Sequence, residues 1–196
     1  MEANIVISGS YDKVKQVSRE LFWIDELANV VSRLGGKPVK QVDEWFLDNN
    51  DEIAHWGCAF MVGIMLAPKW RKARPDEINE LFLQLKQQVI RPNQGVNAGL
   101  PIIGNNANVN NWNALFEAAG ASERFNLRQE LKHEGRIRLA PMPTAMIIRH
   151  RVRVGNGTAL GTHFALVGKE IAYDPYEPNE RYQITYDHID RIDYLR

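Results

Sequence analysis

The sequence predicts an α+β fold. Apolar residues fall at helical spacing through its first two thirds, and a dense apolar run stops at Pro68. From Ala145 onward, short strand-like runs alternate with turn residues. Helices first and an antiparallel sheet afterwards is the pattern of segregated α and β layers.

The first element is a helix over 11–34, with Val14, Val17, Leu21, Ile24, Leu27, Val30, Val31 and Leu34 on its apolar stripe. Gly35-Gly36 closes it. Residues 1–44 are therefore read as a helical extension packed on the outside of a domain at 45–196. After Trp45-Phe46-Leu47, the DNNDE stretch at 48–52 supplies turn and capping residues. Cys58 to Ala67 reads CAFMVGIMLA, apolar on every side, so it belongs in the middle of the protein. Pro75-Asp76 opens an amphipathic helix through Ile78, Leu81, Phe82, Leu85 and Val89. The Asn- and Gly-rich segment 93–113 reads as an extended surface loop, feeding a short helix from Trp112 to Ala119 that closes at Gly120. The strands are expected at Met146–Val154, His163–Val167, Ile171–Tyr173, Tyr182–Tyr186 and Ile189–Leu195.

Composition narrows the class of function. Lys plus Arg and Asp plus Glu number 24 each, so no bulk charge points to nucleic acid or to an anionic membrane. Arg136, Arg138, Arg149, Arg151 and Arg153 make one stretch locally basic, which reads first as a solvated strand face and second as a polyanion site. The apolar run at 58–67 is well short of the ~18 residues that span a bilayer. The start of the chain lacks the pattern of a secretory signal. A single cysteine excludes an internal disulfide framework and a multi-Cys zinc site, and no His/Cys/Asp spacing suggests a metal or other cofactor. The expectation is a soluble, cytoplasmic protein.

That cysteine, Cys58, admits two readings. A thiol packs as a small hydrophobe. At the first turn of a helix it also meets the positive end of the helix dipole, which favours thiolate. His163 is expected at the start of one strand and Asp174 just past the end of the next. A short turn would pair them as a hairpin and bring imidazole and carboxylate to one end of the sheet. If the buried helix packs across that end, Cys58 faces His163. Around it, His55, Trp56, Gly57 and Thr162 are candidates to line a cleft.

Gly-Cys-Ala heading an apolar helix, with His-Phe-Ala-Leu-Val and Tyr-Asp-Pro far downstream, resembles the papain-like cysteine peptidases. Within them it is most similar to the bacterial branch that includes double-glycine leader peptidases of bacteriocin exporters. A weaker likeness runs to proteins of this branch encoded by phages and mobile elements. The resemblance spans about residues 45–175 and rests on two short segments. It implies a papain-like fold, with a buried Cys-bearing helix packed on a C-terminal antiparallel sheet. It also implies a triad of nucleophile Cys58, base His163 and orienting acid Asp174, cutting a peptide or related amide bond through a thioester. The substrate would be a peptide or protein, and no cofactor is implied. Where the family carries an oxyanion-hole Gln shortly before the nucleophile, this chain has Glu52, with Asn49 and Asn50 the nearest amides. A carboxylate there repels a developing oxyanion. The alternative is a degenerate papain-like scaffold that acts as a binding protein.

Overall fold

The computed structural model describes residues 43–130, 145–154, 159–168, 172–173, 175 and 189–196. The expected helix at 11–34, the strand at 182–186 and Asp174 lie outside the described residues.

Short helices open the described chain. Asp43 caps α1 (Glu44–Asn49) by accepting from the Trp45 N–H, and Asn50 caps α2 (Asp51–Trp56) by accepting from the Ile53 N–H. Gly57 joins α2 to α3 (Cys58–Ile64). A Cβ at Gly57 would lie 2.5 Å from the Ile53 carbonyl oxygen, so two helices meet here only because the side chain is absent. All residues of α3 are buried, as its apolar circumference predicts.

The α3 helix ends at Ile64, short of the expected Ala67. The cause is Pro68, which drives Ala67 into extended backbone (φ −79°, ψ 121°) and opens a 3₁₀ turn, Pro68–Lys72. The buried Arg71 then donates to the carbonyls of Met65 (2.9 Å) and Leu66 (3.0 Å), groups left over where the helix ends. Helix α4 (Pro75–Gln87) buries Ile78, Leu81, Phe82 and Leu85, with Phe60 edge-on to Phe82 at 5.1 Å. Helix α5 (Trp112–Ala119) ends on Gly120 in the left-handed conformation.

The 93–113 segment is not simply a surface loop. Ile102, Ile103 and Ala107 are buried, and β-bridges join Val89 to Pro101 and Ile103 to Val109. Its apolar pair Ile102-Ile103 is short enough to be masked in sequence by the surrounding Asn and Gly.

The sheet has five antiparallel strands in the order β1-β5-β2-β3-β4. They are β1 (Phe125–Glu130), β2 (Ala145–Val154), β3 (Ala159–Gly168), β4 (Ala172–Tyr173) and β5 (Ile189–Leu195). The fold is α+β. Strand β1 was not foreseen: FNLRQE has too little apolar character, and it is an edge strand held by β5 alone. Strands β2, β3 and β5 bury side chains on both faces of the sheet. Ile147, Leu166, Tyr173 and Leu195 join the helical core, while Met146, Ile148, Ala165, Ile192 and Tyr194 are buried outside that cluster. Among the described residues no helix is long and apolar enough to cross a membrane.

Candidate functional site

The strand period decides how the sequence-predicted residues are arranged. β2 and β3 pair in unbroken register, with Ile147 opposite Leu166, Arg149 opposite Phe164 and His150 opposite His163. Ile147 and Leu166 belong to the helical core, and Phe164 stands edge-on to Trp112 of α5 at 6.1 Å. Successive side chains leave a strand on opposite faces. His163 therefore projects from the face away from α3, where its ring meets that of His150 at 5.5 Å. Both imidazoles are buried.

Cys58 lies on the other side. It opens α3, which packs on the Phe164 face of β3, and it is only 9% exposed. Its Sγ lies 4.0 Å from the carbonyl oxygen of Trp56. His163 also sits in mid-strand, because β3 begins at Ala159 rather than at His163. Strands β3 and β4 do pair as expected, Leu166 with Tyr173 and Val167 with Ala172. The hairpin is present, with His163 and the Cys58 helix on opposite faces of β3.

The upstream residues have structural occupations. Asn50 uses both ends of its amide: Oδ1 accepts from the Ile53 N–H, and Nδ2 donates to Asn79 at 2.7 Å. Glu52 accepts from Lys86 Nζ and, at 3.0 Å, from the Ala107 N–H. Ala107 and Asn106 hold left-handed backbone, φ 51° and 53°, so this carboxylate ties down a strained turn. Partial burial by itself raises the Glu52 pKa. The bond from Lys86, the Ala107 N–H, the Lys86 charge and the Asn106 N–H outweigh it, and the net direction is down. His55 hydrogen-bonds through Nδ1 to the Asp51 carbonyl, and Trp56 is 58% exposed. Gly57 is buried at the α2–α3 joint.

Thr162 alone among the expected cleft residues lines a cleft that sequence reasoning did not assemble. This cavity of about 410 Å³ lies between the helical layer and the sheet. Its walls include Ala59, Asn110, Trp112 and Phe164, and its floor carries Arg128, Arg149 and Arg191. The arginines come from β1, β2 and β5, which are adjacent strands. Arg149 and Arg191 are direct cross-strand partners, an arrangement of like charges that costs stability unless compensated.

Compensation comes from acids on β5. Asp193, 0% exposed, accepts from Arg128 at 2.8 and 3.4 Å and pairs with Arg191 at 3.0 Å. Asp190 is the extra residue of a bulge, since Arg149 pairs with Arg191 but His150 with Ile189. The bulge carries the Asp190 carboxylate to within 2.7 Å of Arg149 Nε. Only Arg149 was visible in advance, as part of the basic stretch. No group of three or more His, Cys, Asp or Glu side chains able to hold a metal ion occurs among the described residues.

No protein-family model, curated protein or solved structure matches this chain.

Proposed function

We propose that this chain is a binding protein, with the arginine-floored cleft as its binding surface and Cys58 as a packing residue. The observation behind this reading is the opposite facing of His163 and the Cys58 helix across β3. An imidazole must reach the thiol within hydrogen-bond distance to act as its base. Glu52 adds support, since it neutralises Lys86 and holds the Ala107 turn rather than offering a donor to an oxyanion.

The test is the rate of Cys58 alkylation against pH on the full chain. A structural thiol labels slowly, and the rate rises only near the ordinary thiol pKa of about 8.5. A plateau of fast labelling near pH ~6 marks a stabilised thiolate and overturns the reading.

A second reading is the papain-like hydrolase with Cys58, His163 and Asp174 as its triad and a peptide or protein as substrate. It is favoured by Cys58 as the first residue of a buried helix, directly before Ala59 at the cleft wall. This reading needs His163 on the α3 side of the sheet. It predicts the fast plateau and loss of that plateau in His163→Ala.

A further inference from the structure

We propose that the cleft between α5 and the sheet binds the anionic group, carboxylate or phosphate, of a small ligand through Arg149 and Arg191, with an apolar part of the ligand against Trp112 and Phe164. This rests on the binding-protein reading and names the ligand class for its site.

The charges of the floor are unevenly covered. Three guanidiniums stand on the floor, and the sheet supplies two well-covered carboxylates, Asp190 and Asp193. The third acid, Glu130, is half exposed and reaches Arg149 only at 3.7 Å. The charges balance in number, but Glu130 lies in solvent, so the neutralisation of the covered Arg149–Arg191 pair is weakest at this third acid.

Arg191 shows the strain most directly. The residue is only 9% exposed, and among the described residues its Nε has no hydrogen-bond partner. A buried guanidinium donor without a partner carries a desolvation penalty that an anion would relieve. Burial, and behind it the charges of Arg128 and Arg149, lower the Arg191 pKa against the opposing pull of Asp193. A guanidinium fork suits the planar carboxylate and the phosphate face equally.

The walls add a second chemistry. Phe164 lies in register beside Arg149, the Arg191 guanidinium sits 5.1 Å from its ring centroid, and Trp112 stands edge-on to it. Exposed Thr162 adds a hydroxyl at the edge. The cavity is of small-molecule size, which favours a compact anion over a polymer.

Isothermal titration of the full chain with inorganic phosphate, and separately with benzoate, tests this. At least one probe should bind wild type, and Arg191→Met should weaken it roughly tenfold or more, the scale of one charge-assisted hydrogen bond. That variant removes the guanidinium that lies over Phe164, keeps an unbranched side chain in its place, and leaves Asp193 bound by Arg128. Binding of phosphate alone assigns a phosphate group, and binding of benzoate alone or more tightly assigns a carboxylate with an apolar body. Should Arg191→Met fail to fold, the Arg191 Nε–Hε resonance of wild type replaces it and should shift on titration. The proposal is overturned if neither probe binds, if Arg191→Met binds equally well, or if that resonance stays fixed under a binding probe. The alkylation profile fails or succeeds separately, because it reads the Cys58 thiol and not the arginines.

Discussion

The two faces of β2 and β3 carry the residues of two different readings of this protein. On the helical face stand Arg149 and Phe164; on the other stand His150 and His163. In sequence the two sets are interleaved residue by residue. In the sheet they are separated by the full thickness of the backbone layer, because the strand period is two. Neighbours in sequence are thus poor candidates for one site, and residues distant in sequence, such as Arg128 and Asp193, are good ones. A displacement of one residue in the facing of β3 exchanges the two sets, so the contrast is open to attack by mutation.

The largest effect is expected at Asp193. Asp193→Ala removes the buried carboxylate that Arg128 and Arg191 share and leaves Arg191 uncompensated opposite Arg149. Breaking a buried pair from one side should cost about 3–5 kcal/mol in urea unfolding. A loss below about 1 kcal/mol, the range of surface pairs, would show that the cluster is solvated and would remove the helical face's distinction.

Next comes a matched pair, Ile147→Ala and Ile148→Ala. These residues are adjacent, face opposite ways, and are both buried. Each substitution should cost about 2–5 kcal/mol, since each opens a cavity in a covered face. If only Ile147→Ala is costly, the His163 face is open to water, and the burial of the imidazoles goes with it.

What sequence made legible follows from this period. The buried α3 helix, the α4 stripe and the β3–β4 pairing were readable because runs of apolar residues and turn punctuation act locally. The end of α3 was misplaced by a few residues, because Pro68 acts on the residue before it and not only at its own position. The site was legible only in pieces. Cys58 was correctly read as heading a buried helix, but which face His163 takes depends on where the strand begins. Ala159–Thr162 lay outside the strand expected at His163–Val167 and proved to be part of it. The arginine cleft was illegible, since its floor is assembled by non-local pairing across β1, β5 and β2, and one of those strands was not foreseen at all.

Glu52 tests the helical half at smaller magnitude. Glu52→Gln retains an oxygen for the Ala107 N–H but loses the ion pair with partly buried Lys86, and should cost about 1 kcal/mol. The sign of the pH effect follows from the lowered folded pKa. Above the ordinary glutamate value of about 4.5 the group contributes its full stabilisation. That contribution disappears as pH falls through the lower folded value, because the unfolded chain binds the proton first. Wild type should therefore lose more stability than Glu52→Gln between about pH 5 and pH 3. Parallel stability curves for the two proteins would mean that Glu52 is not held as described.

Cys58→Ala is expected to have the smallest effect, and it bears most directly on the contrast between the faces. The thiol is nearly buried and its Sγ has only a long contact with the Trp56 carbonyl, so Ala loses little beyond the contacts of one sulfur. On the order of 1 kcal/mol should be lost in unfolding, with helix α3 retained, since Ala is the best helix former. Affinity for phosphate or benzoate should not change, because the arginine floor comes from the sheet and Cys58 is not among the residues lining the cleft. If Cys58→Ala abolishes binding while its unfolding curve stays close to wild type, the thiol contacts the ligand. The helical face would then hold one site with both thiol and arginines in it, and the packing role of Cys58 would be withdrawn.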